Sequence, residues 1–134
     1  QTEICSLVHH HVNMWKPSVV YTHHGGDVHN DHQVVSAATR VACRPRVSWP
    51  VDTLYEFTIP GSTEWRHEPT QFNVYKDITS NANDKMEMVS RYTSELREAP
   101  DPLSLEMIET RDRYNGSLCG KTRAEVFKLV FDRS

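Results

Sequence analysis

Apolar positions recur along the chain with two different spacings, and the spacing indicates which element each stretch forms. Apolar residues three or four positions apart form one face of a helix, whereas short β-branched or aromatic runs indicate buried strands. Helical spacing occurs in residues 4–15, 31–43, 84–96 and 103–114. Extended runs occur in residues 18–22, 52–59, 72–78 and 124–131. We therefore predict four helices and four strands.

The order of these elements indicates the fold class. Because strands alternate with helices, the sequence predicts an α/β layered fold with a mainly parallel sheet. We expect it to form a single domain over residues 1–134. Ligands of such folds bind outside the carboxyl ends of the strands, and the polar loop after Thr22 lies at such an end.

Composition narrows the class of protein. The 134 residues are 37% hydrophobic and 25% charged, with a net charge of -3, so we expect a soluble globular chain without the basic surface that nucleic acid requires. No apolar run approaches the roughly 20 residues of a membrane span. The cysteines are odd in number and far apart, which argues against a disulfide framework and favours the cytoplasm. A homo-oligomer is compatible with the sequence.

Histidines and aspartates are concentrated in one short segment between a predicted strand and a predicted helix. Imidazole is a common zinc ligand, a carboxylate can fix its orientation, and a second imidazole can donate a proton to a reacting group. Polar residues also collect at solvated turns, and Asp31 could serve merely as a helix N-cap. Both interpretations are open on spacing alone. The segment contains His23, His24, Asp27, His29, Asp31 and His32.

Three other features that could be functional also have simpler structural explanations. Successive residues of a helix point about 100° apart, so the run of histidines at residues 9–11 is better explained by a solvated helix face than by a metal site. Neighbouring strand residues face opposite sides, so of His23 and His24 we select only His24 as a candidate pocket residue. Glu64 follows a predicted strand end and is either a substrate contact or a solvated turn carboxylate.

The segment from Val20 to His32 closely resembles the second signature of the LmbE/PIG-L family of zinc-dependent N-acetylglucosaminyl deacetylases. The resemblance continues in order through residues 42–45, 55–57, 62–65, 94–97 and 124–127, so it covers nearly the whole chain. It implies a Rossmann-like, three-layer α/β fold, a zinc cofactor, and hydrolysis of an N-acetyl group from a small glucosamine-containing substrate.

The resemblance also implies roles for individual residues. His32 matches a zinc ligand, and His29 matches the catalytic histidine that stabilises the oxyanion. Asp31 matches the carboxylate that orients this pair. The family pattern further favours Glu64 as a substrate contact. His24, selected above from strand geometry, is the other candidate substrate contact.

The chain departs from the family in two places. It lacks the first signature, a His-Pro-Asp-Asp segment that supplies two zinc ligands and the general base, so we expect the chain alone to be inactive. We favour a longer parent enzyme that contributes the missing N-terminal strands over a non-catalytic binding or scaffold remnant of the same fold. The second departure is at Asp101 and Leu103, where many relatives carry His and Arg.

Overall fold

The computed structural model describes residues 2–66 and 69–134, and it contains the four helices and four strands that the sequence predicts. The helices are α1 (Thr2–Trp15), α2 (Asn30–Cys43), α3 (Ala82–Ser90) and α4 (Leu105–Cys119). The strands are β1 (Val19–His23), β2 (Thr53–Phe57), β3 (Val74–Asp77) and β4 (Ala124–Asp132). Two short 3-10 helices span Thr63–Trp65 and Thr79–Asn81.

The helix boundaries in the second half of the chain differ from those predicted. Helix α3 stops at Ser90, because the chain then turns, with the amides of Glu95 and Leu96 both donating to the Tyr92 carbonyl. Helix α4 continues beyond the predicted end and stops at Gly120. This glycine has a φ of 72° and donates its N–H to the Gly116 carbonyl, which is a typical helix C-cap.

The strand order is β1-β2-β4-β3, and the prediction of a mainly parallel, Rossmann-like sheet was wrong. Strands β1 and β2 are parallel, with Val19 opposite Thr53 and His23 opposite Phe57. Strand β4 runs antiparallel to β2 and separates it from β3. The α/β class is confirmed. The error arose because periodicity identifies a strand without fixing its direction.

The chain forms two compact units. The first comprises Gln1–Phe72 with Phe127–Ser134, and the second comprises Asn73–Val126. In the first, a core of Val12, Cys43, Val51 and Leu54 lies where α1 and α2 meet the sheet. In the second, Lys85 on α3 forms ion pairs with Asp112 and Glu125, at 2.8 and 2.6 Å.

The helices of the described residues are all too short or too polar to cross a membrane.

Candidate functional site

The parallel pairing of β1 and β2 brings two loops to one edge of the sheet. His23 lies opposite Phe57 at the ends of the two strands, and the next residue, His24, donates its N–H to the Phe57 carbonyl at 3.2 Å. Parallel strands that pair in register end at the same edge of the sheet. The segments that follow β1 and β2 therefore start next to each other.

Asp27 is the polar centre of these loops and is fully buried. Its Oδ1 atom accepts hydrogen bonds from the His29 N–H at 2.9 Å and from the Ser62 hydroxyl, while Oδ2 accepts from the Thr63 hydroxyl at 2.6 Å. Its carbonyl accepts from the Gln33 amide at 2.6 Å. Asp27 thus ties the β1 loop, the start of α2 and the Ser62–Thr63 segment of the loop after β2 to one carboxylate.

The hydrogen bonds to Asp27 determine its charge. Burial alone would raise the pKa of the carboxyl, but the bonds from Ser62, Thr63, His29 N–H and His32 outweigh it and lower the pKa to about 2. Hydrogen bonds to the charged form of a carboxylate have this effect. Asp27 is therefore ionised at neutral pH.

His32 lies in the first turn of α2 with its Nδ1 atom 3.1 Å from Asp27 Oδ1. Because an ionised carboxylate can only accept, Nδ1 carries the proton and donates it. In the neutral ring this leaves a lone pair on Nε2.

The His32 ring stacks on two other histidine rings. It stacks on His23 with 4.4 Å between ring centroids and on His29 with 4.5 Å. Burial and the nearby His32 ring lower the pKa of His23, so His23 is neutral at neutral pH. The three rings form a histidine stack beside the Asp27 carboxylate.

His29, rather than Asp31, is the N-cap of α2. Its Nδ1 atom accepts from the Asp31 N–H at 3.3 Å. Asp31 therefore contacts His29, one of the two predicted site histidines, through its backbone N–H. The buried carboxylate bound to His32 belongs to Asp27, which differs from the expectation that Asp31 orients the pair.

His24 faces a separate cavity of about 470 Å³, whose described lining includes neither His29 nor His32. The Gly26 N–H donates to His24 Nδ1 at 3.0 Å. Burial lowers the pKa of His24, although the Glu56 carboxylate acts in the opposite direction. The lining residues comprise His24, Gly25, Gly26, Gln33, Ser36, Ala37, Arg40, Glu56, Thr70 and Lys128.

The structure therefore brings together part of the predicted site. His29 and His32 are adjacent, whereas His24 faces the separate cavity. Glu64 is exposed and is not among the cavity's described lining residues; the contacts to Asp27 come from its neighbours Ser62 and Thr63. Sequence reasoning assigned no individual role to Asp27 or to these two hydroxyl residues, although Asp27 lies within the histidine-rich segment.

The described residues do not bring three His, Cys, Asp or Glu side chains together as a metal site. A catalytic zinc usually has three protein ligands. His32 fits one of them, because a carboxylate on one ring nitrogen is the usual partner of a histidine that binds metal through the other.

Solved structures of other proteins share this fold. No family model matches the chain, and no curated protein matches it in sequence. The conserved protein TT1542 from Thermus thermophilus superposes with a TM-score of 0.74 at 18% identity over 98% of this chain. GalB, the 4-carboxy-2-hydroxymuconate hydratase from Pseudomonas putida KT2440, does so with a TM-score of 0.74 at 16% identity over 100% of it.

The chain spans 60% of the length of each of these two proteins. At such identities the similarity establishes the fold alone, since one fold carries many activities. The function has to be argued from the site.

Proposed function

We propose that this chain supplies part of the active site of a zinc-dependent hydrolase that removes an N-acetyl group from a glucosamine-containing substrate. The observation that carries the proposal is the contact between Asp27 and His32 at 3.1 Å. A buried carboxylate that fixes the tautomer of a histidine is typical of a metal ligand and its orienting partner, and here that histidine lies in the first turn of α2.

His32 would hold the metal through Nε2. Its other ring nitrogen is occupied by Asp27, and stacking on the His23 and His29 rings restricts rotation of the imidazole. When bound, a zinc ion polarises the scissile carbonyl and lowers the pKa of its bound water to about 7.

His29 would act on the substrate. Since its Nδ1 accepts from the Asp31 amide, the neutral ring carries its proton on Nε2 and can donate it to the oxyanion that develops on the acetyl carbonyl. Its exposure leaves it accessible to a substrate.

The proposal requires groups that these 134 residues do not provide. His32 is one zinc ligand, and the usual three leave two to be supplied from elsewhere, together with a base for the water. The chain alone should therefore not hydrolyse the substrate. In the resemblance to LmbE/PIG-L enzymes, the missing groups belong to the first signature.

The experiment compares three single variants in the natural protein that contains this chain. Intact mass and plasma mass spectrometry give its length and zinc content, and acetate release from N-acetylglucosamine substrates gives turnover. We expect His32→Ala to lose zinc and His29→Ala to keep zinc but lose turnover. His10→Ala, at an exposed position of α1, should change neither.

The alternative is a non-catalytic binding or scaffold protein that keeps the fold. It predicts a natural protein with no stoichiometric zinc and no acetate release in any variant. Zinc retained in His32→Ala but lost in His29→Ala would contradict the assigned roles.

A further inference from the structure

The cavity beside His24 carries features that the proposed hydrolase does not use. Three buried polar atoms in its wall have no hydrogen-bond partner among the described residues. They are His24 Nε2, Ser36 Oγ and Glu56 Oε2, on residues that are 5%, 0% and 1% exposed. Because buried polar atoms are normally paired, this wall is suited to a polar ligand.

His24 Nε2 and Glu56 Oε2 together define a position for a hydroxyl group of the ligand. His24 Nδ1 accepts from Gly26, so the neutral ring presents an N–H at Nε2, whereas Glu56 Oε2 presents an acceptor. These two atoms lie 3.8 Å apart, too far for a direct hydrogen bond. A hydroxyl oxygen about 2.8 Å from each atom can accept from His24 and donate to Glu56. Ser36 Oγ offers a further donor or acceptor.

The charges at the cavity favour an anion. Arg40 donates from Nε to Glu56 Oε1 at 2.8 Å, and Lys128 Nζ lies 3.5 Å from Oε2. Two cations thus face one carboxylate. Both are partly exposed, at 44% and 32%, so their remaining N–H groups lie near the mouth of the cavity, where they can bind a carboxylate or phosphate.

We propose that this cavity binds a small hydroxylated anion, such as a sugar phosphate, with a hydroxyl between His24 and Glu56 and the anionic group at Arg40 and Lys128. The volume of about 470 Å³ falls in the range of small-molecule sites. The site is independent of the proposed hydrolase, because it needs neither zinc nor His29.

The test measures binding of three probes to the purified chain by isothermal titration calorimetry: glucose 6-phosphate, glucose and inorganic phosphate. Glucose 6-phosphate should bind saturably and at least about tenfold more tightly than either of the others, since only it engages both the hydroxyl position and the cations. No saturable binding of glucose 6-phosphate would overturn the proposal. So would equal affinity for inorganic phosphate, which would indicate a cationic surface only.

Variants locate the binding in the cavity. Lys128→Met should reduce the affinity for glucose 6-phosphate about tenfold, and Ser36→Ala should reduce it severalfold. Thr39→Val is the matched control, since Thr39 is buried on the same helix but outside the cavity lining, and its affinity should equal that of the wild type. Unchanged affinity in folded Lys128→Met and Ser36→Ala proteins would overturn the assignment.

Gly25→Ala provides a second probe of the cavity if Ser36→Ala fails to fold. A Cβ atom at Gly25 would lie 3.3 Å from Ser36 Oγ and 3.8 Å from Glu56 Oε1. The added methyl group would narrow the cavity from an exposed backbone position, so it should weaken glucose 6-phosphate binding while the fold is kept. Wild-type affinity in this variant would contradict binding at the Ser36 wall.

Discussion

Oδ1 of Asp27 lies 3.1 Å from Nδ1 of His32, so a fully buried carboxylate holds the imidazole at the start of helix α2. The same carboxylate accepts hydrogen bonds from the hydroxyls of Ser62 and Thr63 in the loop after strand β2. The geometry of the histidine stack therefore depends on Asp27, and substitutions around Asp27 test it.

Asp27→Asn should destabilise the chain by about 2–4 kcal/mol at neutral pH, because the new amide group would face hydroxyl donors in a buried site. Urea unfolding of the purified chain measures this change. Asp31→Asn is the control, since Asp31 is an exposed carboxylate in the first turn of the same helix, and it should cost less than about 1 kcal/mol. Equal costs for the two variants would show that Asp27 is not the centre of this loop network.

The stability of the chain should depend on Asp27 in acid. The pKa of this carboxyl is about 2 in the folded protein, against an ordinary value of 3.8. Because the folded value is the lower one, the ionised carboxylate stabilises the fold above about pH 4, and this contribution is lost as the pH falls toward about 2. Unfolding curves across this window should fall more steeply for the wild type than for Asp27→Asn. Parallel curves would contradict the depressed pKa.

Thr63→Val should cost about 1–3 kcal/mol. It removes a buried hydroxyl that donates to Asp27 Oδ2 at 2.6 Å and accepts from the Ile59 N–H at 2.8 Å, while keeping the side-chain shape. Thr110→Val is the control, because the Thr110 hydroxyl is exposed and only donates to the Glu106 carbonyl of its own helix. Denaturant unfolding compares the two, and a cost for Thr63→Val no larger than that of the control would count against a structural role for this hydroxyl.

The second unit offers a test that is independent of the site. A Cβ atom at Gly116 would approach the Lys121 carbonyl oxygen to 2.7 Å and the Arg123 nitrogen to 2.8 Å, and these backbone atoms cannot move aside individually. Gly116→Ala should therefore cost about 2–4 kcal/mol. Gly120→Ala meets nothing within 4 Å and should cost only about 1–2 kcal/mol for its left-handed backbone. Thermal unfolding measures the stability of both variants. A larger loss of stability in Gly120→Ala than in Gly116→Ala would contradict this packing.

The sequence predicted the elements better than their arrangement. Helical spacing located α1 and α2 because their apolar faces pack on the sheet of the first unit. It extended α3 to Leu96, where Tyr92 carbonyl bonds turn the chain instead. The direction of β4 was missed, since the same alternation of side chains fits a parallel or an antiparallel neighbour.

The candidate site was predicted in part for a similar reason. The His-rich segment located His29 and His32 close together because they are close in sequence. The contacts of Asp27 with Ser62 and Thr63 span 35 and 36 residues, and they depend on the pairing of β1 with β2, which spacing alone does not specify. The cavity beside His24 likewise needs Glu56 and Lys128 from neighbouring strands.

The most direct test of the account is the tautomer of His32 in the natural protein that contains this chain, measured by long-range proton–nitrogen NMR correlations of the histidine rings and followed during a zinc titration. The account predicts a proton on Nδ1, an unprotonated Nε2, and a zinc-dependent shift of the Nε2 resonance that His10→Ala leaves unchanged. A proton on Nε2 of His32, with a resonance that zinc does not move, would contradict it.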